Sequence, residues 1–150
     1  MRRNTVPAAL RQEVIRRAGN RCEYCGLSQS SQGASFHIDH IKPLAVGGET
    51  IKGNLALACA SCSLRKGARQ VGVDPESGQM VPLFNPRGHD YRVHFLWDSP
   101  RVVGRTPLGR ATVEALGMNE PFVRDAHRSE ELLGHYPPPE GWPEQDNDER

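Results

Sequence analysis

Cys22-Glu23-Tyr24-Cys25 and Cys59-Ala60-Ser61-Cys62 stand thirty-three residues apart, and between them runs Ser35-Phe36-His37-Ile38-Asp39-His40-Ile41-Lys42-Pro43. Two CxxC turns can each offer two thiolates to one tetrahedral ion, with zinc held about 2.3 Å from each sulfur. The gap exceeds the roughly 15–20 residues of the commonest zinc ribbon, so an insert separates the two knuckles. These spacings predict a structural zinc on Cys22, Cys25, Cys59 and Cys62. The other readings are a redox dithiol, which explains one pair and not the second, and unpaired core cysteines.

Within the insert, the alternation from Ser35 to Ile41 reads as a half-buried strand that Pro43 stops. A glycine-containing loop, Leu44 to Thr50, leads to Asn54-Leu55-Ala56-Leu57-Ala58-Cys59, a short apolar strand entering the second knuckle. Ala60 to Arg69 favours a helix that Gly67 shortens. Ahead of the first knuckle, Thr5 to Gly19 reads as a helix. Thr5 is its cap, Pro7 sits in its first turn, and Val6, Leu10 and Val14 share one face, leaving Arg11, Arg16 and Arg17 for solvent or phosphate.

Beyond Val71 the composition shifts. Val73 to Val81 reads as a turn between short extended pieces, and Tyr91 to Trp97 as a strand. Thr106-Pro107 opens a helix to Leu116, and a further helix spans about Glu120 to Leu133. Tyr136 to Arg150 is proline-rich and acidic, a composition that predicts a disordered tail. The expected organisation is a core at 1–70, an extension at 71–135 packed on it, and the tail at 136–150. The fold class is α+β. His89, His94, His127 and His135 have no ligand-like spacing, and no internal repeat is present.

The chain of 150 residues has a formal net charge of +1, but the charge is divided. Residues 1–70 hold eleven Lys/Arg against four Asp/Glu, and residues 71–150 hold eight against fourteen. A basic front half is the electrostatic footprint of a nucleic-acid partner. No apolar stretch approaches the roughly 20 residues of a membrane span, and Met1-Arg2-Arg3-Asn4 leads into polar sequence without the apolar centre of a signal peptide. A soluble, cytoplasmic protein with reduced thiols is expected.

The order His37-Ile38-Asp39-His40, Gly47-Gly48, Asn54-Leu55 and Cys59-x-x-Cys62-Ser63-x-x-Lys66-Gly67 resembles the HNH nucleases. The resemblance covers roughly Gly19 to Arg69 and implies a ββα-metal core. Leu83-Phe84-Asn85-Pro86-Arg87, His94-Phe95 and Gly109-Arg110-Ala111-Thr112 are similar to the extension of a subset of small bacterial HNH proteins. Carried over, His40 is the general base of an endonuclease acting on DNA, Asp39 a ligand of catalytic Mg²⁺ or Mn²⁺, and Asn54 the residue that fixes the loop between the strands. The family usually has Asn or His after the last zinc cysteine to complete that metal shell. Here Ser63 stands there, offering a short hydroxyl.

The chemistry is coherent on its own terms. Phosphodiester hydrolysis needs a base for the attacking water, and neutral imidazole serves at neutral pH. A carboxylate such as Asp39 suits a hard divalent cation. On a regular strand Asp39 and His40 point to opposite faces, so the pairing requires a bend. His37 shares a face with Asp39, where it binds a phosphate, joins the metal shell or makes an ordinary hydrogen bond. Arg65, Lys66 and Arg69 are expected on backbone phosphates. The competing function is a zinc-stabilised nucleic-acid-binding module without catalysis; Ser63 favours it, and the intact Asp39-His40 pair favours the nuclease. A thiol redox protein leaves His40, Asn54 and the Gly-Gly loop unexplained.

Overall fold

The computed structural model describes residues 6–144, so Thr5 and the end of the predicted tail lie outside the described residues. The first helix, α1 (Ala8–Arg17), starts behind Pro7 without a side-chain cap. Its Arg17 turns inward, donating to Lys52 O at 2.9 Å and Leu55 O at 2.7 Å. The expectation that Arg17 faces solvent is therefore corrected: two backbone carbonyls, one in the turn at Lys52 and one at Leu55, recruit its planar donors.

Strand β1 (His37–His40) pairs antiparallel with β2 (Leu55–Ala58), setting His37 opposite Ala58 and His40 opposite Leu55. Every residue of β2 is buried, whereas β1 has one exposed end. Helix α1 packs on β2, and the first knuckle joins the strand through Glu23 N, which donates to Leu57 O at 2.8 Å. Helix α2 (Ala60–Lys66) follows directly and stops at Gly67, whose φ of +51° a side chain would strain.

The extension is tied to this core through the first knuckle. It comprises a hairpin of β3 (Val71–Val73) and β4 (Met80–Pro82), a helical turn α3 (Tyr91–His94), and a second hairpin of β5 (Phe95–Asp98) and β6 (Arg101–Gly104). Helices α4 (Pro107–Ala115) and α5 (Pro121–Leu132) complete it. Thr106 caps α4 by accepting from Gly109 N, with Pro107 at the first position, as the sequence predicts. Tyr91 to His94 is helical rather than extended, because Asp90 caps the turn by accepting from Arg92 N at 3.0 Å. Phe84, Tyr91, Phe95, Trp97 and Trp142 form one aromatic cluster, and Tyr91 donates its hydroxyl to Tyr24 O at 2.6 Å.

The predicted disordered tail is corrected as far as residue 144. Tyr136 is 3% exposed and stacks on His127, and Trp142 is 6% exposed and donates to Ala18 O at 2.9 Å. The average composition of the segment hides these two aromatics, which are enough to anchor it. No helix among the described residues is long and apolar enough to cross a membrane.

Candidate active site

The two knuckles converge. The sulfurs of Cys22, Cys25, Cys59 and Cys62 all lie within 4.8 Å of one another, and the Cys25–Cys59 pair is 3.8 Å apart. A tetrahedron with metal–sulfur distances of about 2.3 Å has edges of about 3.8 Å, so the four thiols fit one zinc ion. All four are free and buried, and the Cys25 and Cys62 amides donate to Cys22 and Cys59 sulfur at 3.4 Å each. The four thiols share protons unequally: hydrogen bonds from Cys22, Cys25 and Cys62 lower the Cys59 thiol, while the same network and burial raise Cys25 and Cys62. Thiolate is the form that binds metal.

At the other end of the β1–β2 ribbon, the loop carrying Gly47 and Gly48 folds back on β1. Gly47 has φ of +92°, and a Cβ on Gly48 would sit 1.8 Å from Lys42 O. The first glycine thus supplies the turn and the second the close approach. Asn54 locks the loop: its Oδ1 accepts from Lys42 N at 2.8 Å, and its Nδ2 donates to Lys42 O at 3.1 Å and Glu49 O at 2.9 Å. Thr50, one residue on, places its hydroxyl 2.9 Å from His40 Nε2.

His40 lies at the last position of β1 and opens on a cleft of about 260 Å³ that Asp39, Ser63 and Leu44 also line. Both members of the Asp39-His40 pair therefore reach one cleft. Their polar atoms nevertheless go to different partners. Burial depresses the His40 pKa below the usual histidine value, against the pull of the Asp39 carboxylate and with that of the Lys66 ammonium. The ring is neutral at pH 7 and able to accept a proton.

Asp39 is 8% exposed and Lys66 2%. Tyr24 donates to Asp39 Oδ2 at 2.7 Å, while Lys66 Nζ lies 3.1 Å from Oδ2 and 3.4 Å from Oδ1. The same ammonium donates to His40 O and Ile41 O at 3.2 Å each. Burial raises the Asp39 carboxyl above its ordinary value, and Lys66 and Tyr24 pull it back toward the ionised form. His37, exposed, holds its Nδ1 2.9 Å from Ser63 Oγ.

These contacts decide how the expected residues stand. The divalent cation implied by the resemblance does not fit the arrangement, because Asp39 already has a buried ammonium across its carboxylate. Among the described residues, the four cysteines alone form a group of three or more His, Cys, Asp or Glu side chains with ligand atoms so close. Lys66 is corrected from a phosphate contact to a buried pin, its charge matched by Asp39. Arg65 is engaged with Glu120 at 3.2 Å, and Arg16 with Glu13. Arg69 and His37 remain exposed.

Residues 22–69 match the model of the HNH endonuclease family. No curated protein and no solved structure matches the chain. The match spans the zinc knuckles, the β1–β2 ribbon and α2, which is the part of the chain that holds every candidate site residue. An HNH domain of this kind indicates nuclease activity in general. Within the HNH domain, sequence reasoning missed Tyr24, Thr50 and the inward turn of Lys66. A signal for Lys66 was present: Ser63 and Lys66 are three apart on a helix, and His37 and Asp39 are two apart on a strand, so one face of each meets the other.

Proposed function

We propose that this protein is an endonuclease that hydrolyses DNA phosphodiester bonds, with His40 as the general base. The observation that carries the reading is a neutral imidazole, at the end of a strand and open to a cleft, with one ring nitrogen already held by Thr50. Thr50 fixes the ring through Nε2, which leaves Nδ1 to take the proton of a water attacking phosphorus. Asn54 is a positioning residue that keeps Thr50 and the loop in register with β1. When His37 Nδ1 accepts from Ser63, the ring proton lies on Nε2, and His37 then offers an N–H donor to a phosphate oxygen. The basic surface of residues 1–70 supports DNA as the substrate class.

A second reading, a zinc-stabilised nucleic-acid-binding module without catalysis, is favoured by the closure of Asp39 by Lys66. One experiment separates them. Zinc-loaded protein is incubated with supercoiled plasmid, with and without Mg²⁺ or Mn²⁺, beside His40→Ala. Nicked or linear DNA from the wild type, with a loss of about 10²–10⁴-fold in the variant at unchanged zinc content, supports the endonuclease. DNA binding with no cleavage by either protein supports the module.

A further inference from the structure

A second cleft, of about 230 Å³, lies where the core meets the extension. The core supplies Lys42, Arg69 and Gln70, and the turn after β4 supplies Asn85 and His89. No acidic side chain lines it. Lys66 also reaches it, but its charge is matched by Asp39. Lys42 and Arg69 therefore leave the cleft with a net positive charge. Its volume is below the roughly 300–1,000 Å³ of sites that enclose drug-sized ligands, so it admits one small group.

The polar atoms of the cleft have a directional bias. Asn85 N donates to His89 Nδ1 at 2.9 Å, and Asn85 Oδ1 accepts from Arg87 N at 2.8 Å and Gly88 N at 3.3 Å. These bonds consume the acceptors of both side chains. The donors Asn85 Nδ2 and His89 Nε2–H are left over, the ring proton being forced onto Nε2. Burial lowers the His89 pKa and keeps the ring neutral. Among the described residues, neither the Lys42 ammonium nor the Gln70 amide has a hydrogen-bond or ion-pair partner. Two cations beside the free N–H donors of Asn85 and His89, with a Gln70 amide whose NH₂ is unengaged, match the oxygens of a phosphate.

Its position relates it to the reaction. Lys42 follows His40 by two residues, and Asn54 holds the Lys42 backbone through both its N–H and its carbonyl. We propose that this cleft is a second phosphate subsite, taking a phosphodiester that flanks the bond addressed by His40. The inference rests on the endonuclease reading for the identity of the polymer. The extension then contributes to substrate binding through Asn85 and His89 rather than serving only as a brace for the knuckle.

The test uses Lys42→Ala and Gln70→Ala, both at exposed positions, with Arg101→Ala removing the same charge outside the cleft. Affinity for a labelled DNA duplex is measured by fluorescence anisotropy over a range of salt. Lys42→Ala should weaken binding at least fivefold and lower the salt slope by about 1. Gln70→Ala should weaken it about two- to fivefold with the slope unchanged, and Arg101→Ala should stay within twofold. In a second arm, inorganic phosphate is titrated into ¹⁵N-labelled protein, and the amides of Lys42, Gln70, Asn85 and His89 should shift together.

Wild-type affinity and slope in both cleft variants, with those amides unmoved, overturn the subsite. Phosphate-dependent shifts with DNA binding unaffected by Lys42→Ala overturn its assignment to DNA and give the cleft to a free phosphate ester. If the wild type neither binds nor cleaves DNA while the shifts remain, the endonuclease reading fails and the anion site alone stands. If plasmid is cleaved but the cleft variants match the wild type in both arms, the inference fails and the endonuclease stands.

Discussion

The two ends of the β1–β2 ribbon are organised on opposite principles. At the knuckle end four identical donors converge on one point, and the ion they fit does the organising. Along β1 toward His40 the polar side chains are instead held by separate partners of the chain itself: His37 by Ser63, Asp39 by Lys66 and Tyr24, and His40 by Thr50. The first end depends on a ligand from outside, whereas the second is built from hydrogen bonds within the chain. Loss of order should therefore be all-or-none at the knuckle and graded at the cleft.

The largest expected effect tests the knuckle. Structural zinc contributes apparent binding energies of about 10–16 kcal/mol in small zinc domains, far more than the total stability of an ordinary domain. Stripping the ion, or Cys59→Ser, should abolish the folded state, read by circular dichroism and near-UV signal. Elemental analysis should find one zinc per folded chain. A folded, zinc-free protein would remove the contrast between the two ends.

Next in size is the pin beneath the cleft. Lys66→Met leaves the Asp39 carboxylate buried without its cation and should cost about 3–5 kcal/mol in a denaturant titration. Adding Asp39→Asn to that variant should recover most of the loss, since a neutral pair leaves no stranded charge. If Asp39→Asn alone is harmless, Asp39 is not held as described. Trp142→Ala should cost a comparable 3–5 kcal/mol by opening a cavity in the aromatic cluster and leaving Ala18 O with only its 3.3 Å bond from Arg21 N. A chain truncated before Tyr136 should be destabilised as well.

The smallest effect is a pH dependence. Burial depresses His40, His89, His94 and His127 below the ordinary histidine value. The unfolded chain takes up protons near pH 6.5 while the native rings stay neutral. Stability is therefore complete above about 6.5 and falls as the pH drops toward the native values, by at most about 1.4 kcal/mol per pH unit for each ring. His127, with no exposure, should contribute most, so His127→Gln should flatten a plot of denaturant midpoint against pH between 5 and 7.

What the sequence made legible follows the same division. Cys22, Cys25, Cys59 and Cys62 could be paired from spacing alone because one ion imposes one geometry. The Gly47-Gly48 turn and Asn54 were legible because backbone constraints leave few residues that fit. The partners of Asp39 were not, since a lysine on a helix reads as a solvated face until the helix is docked. The anchoring of Tyr136 and Trp142 was hidden for a related reason: proline and acid dominate the average, and two aromatics decide the packing.

The spacer residues of the first CxxC turn carry a consequence of their own. Glu23 accepts from Leu57 N at 2.8 Å and pairs with Arg87 of the extension, while Tyr24 donates to Asp39 and takes the Tyr91 hydroxyl on its carbonyl. The two positions that a zinc motif leaves unspecified are thus the joint between both halves of the molecule. A core trimmed at residue 70 would keep all four cysteines and His40 yet strand a buried carboxylate on its cut surface. Portability of this core as a fusion module is therefore limited by Glu23, which a transplant would have to replace with a neutral residue such as Gln.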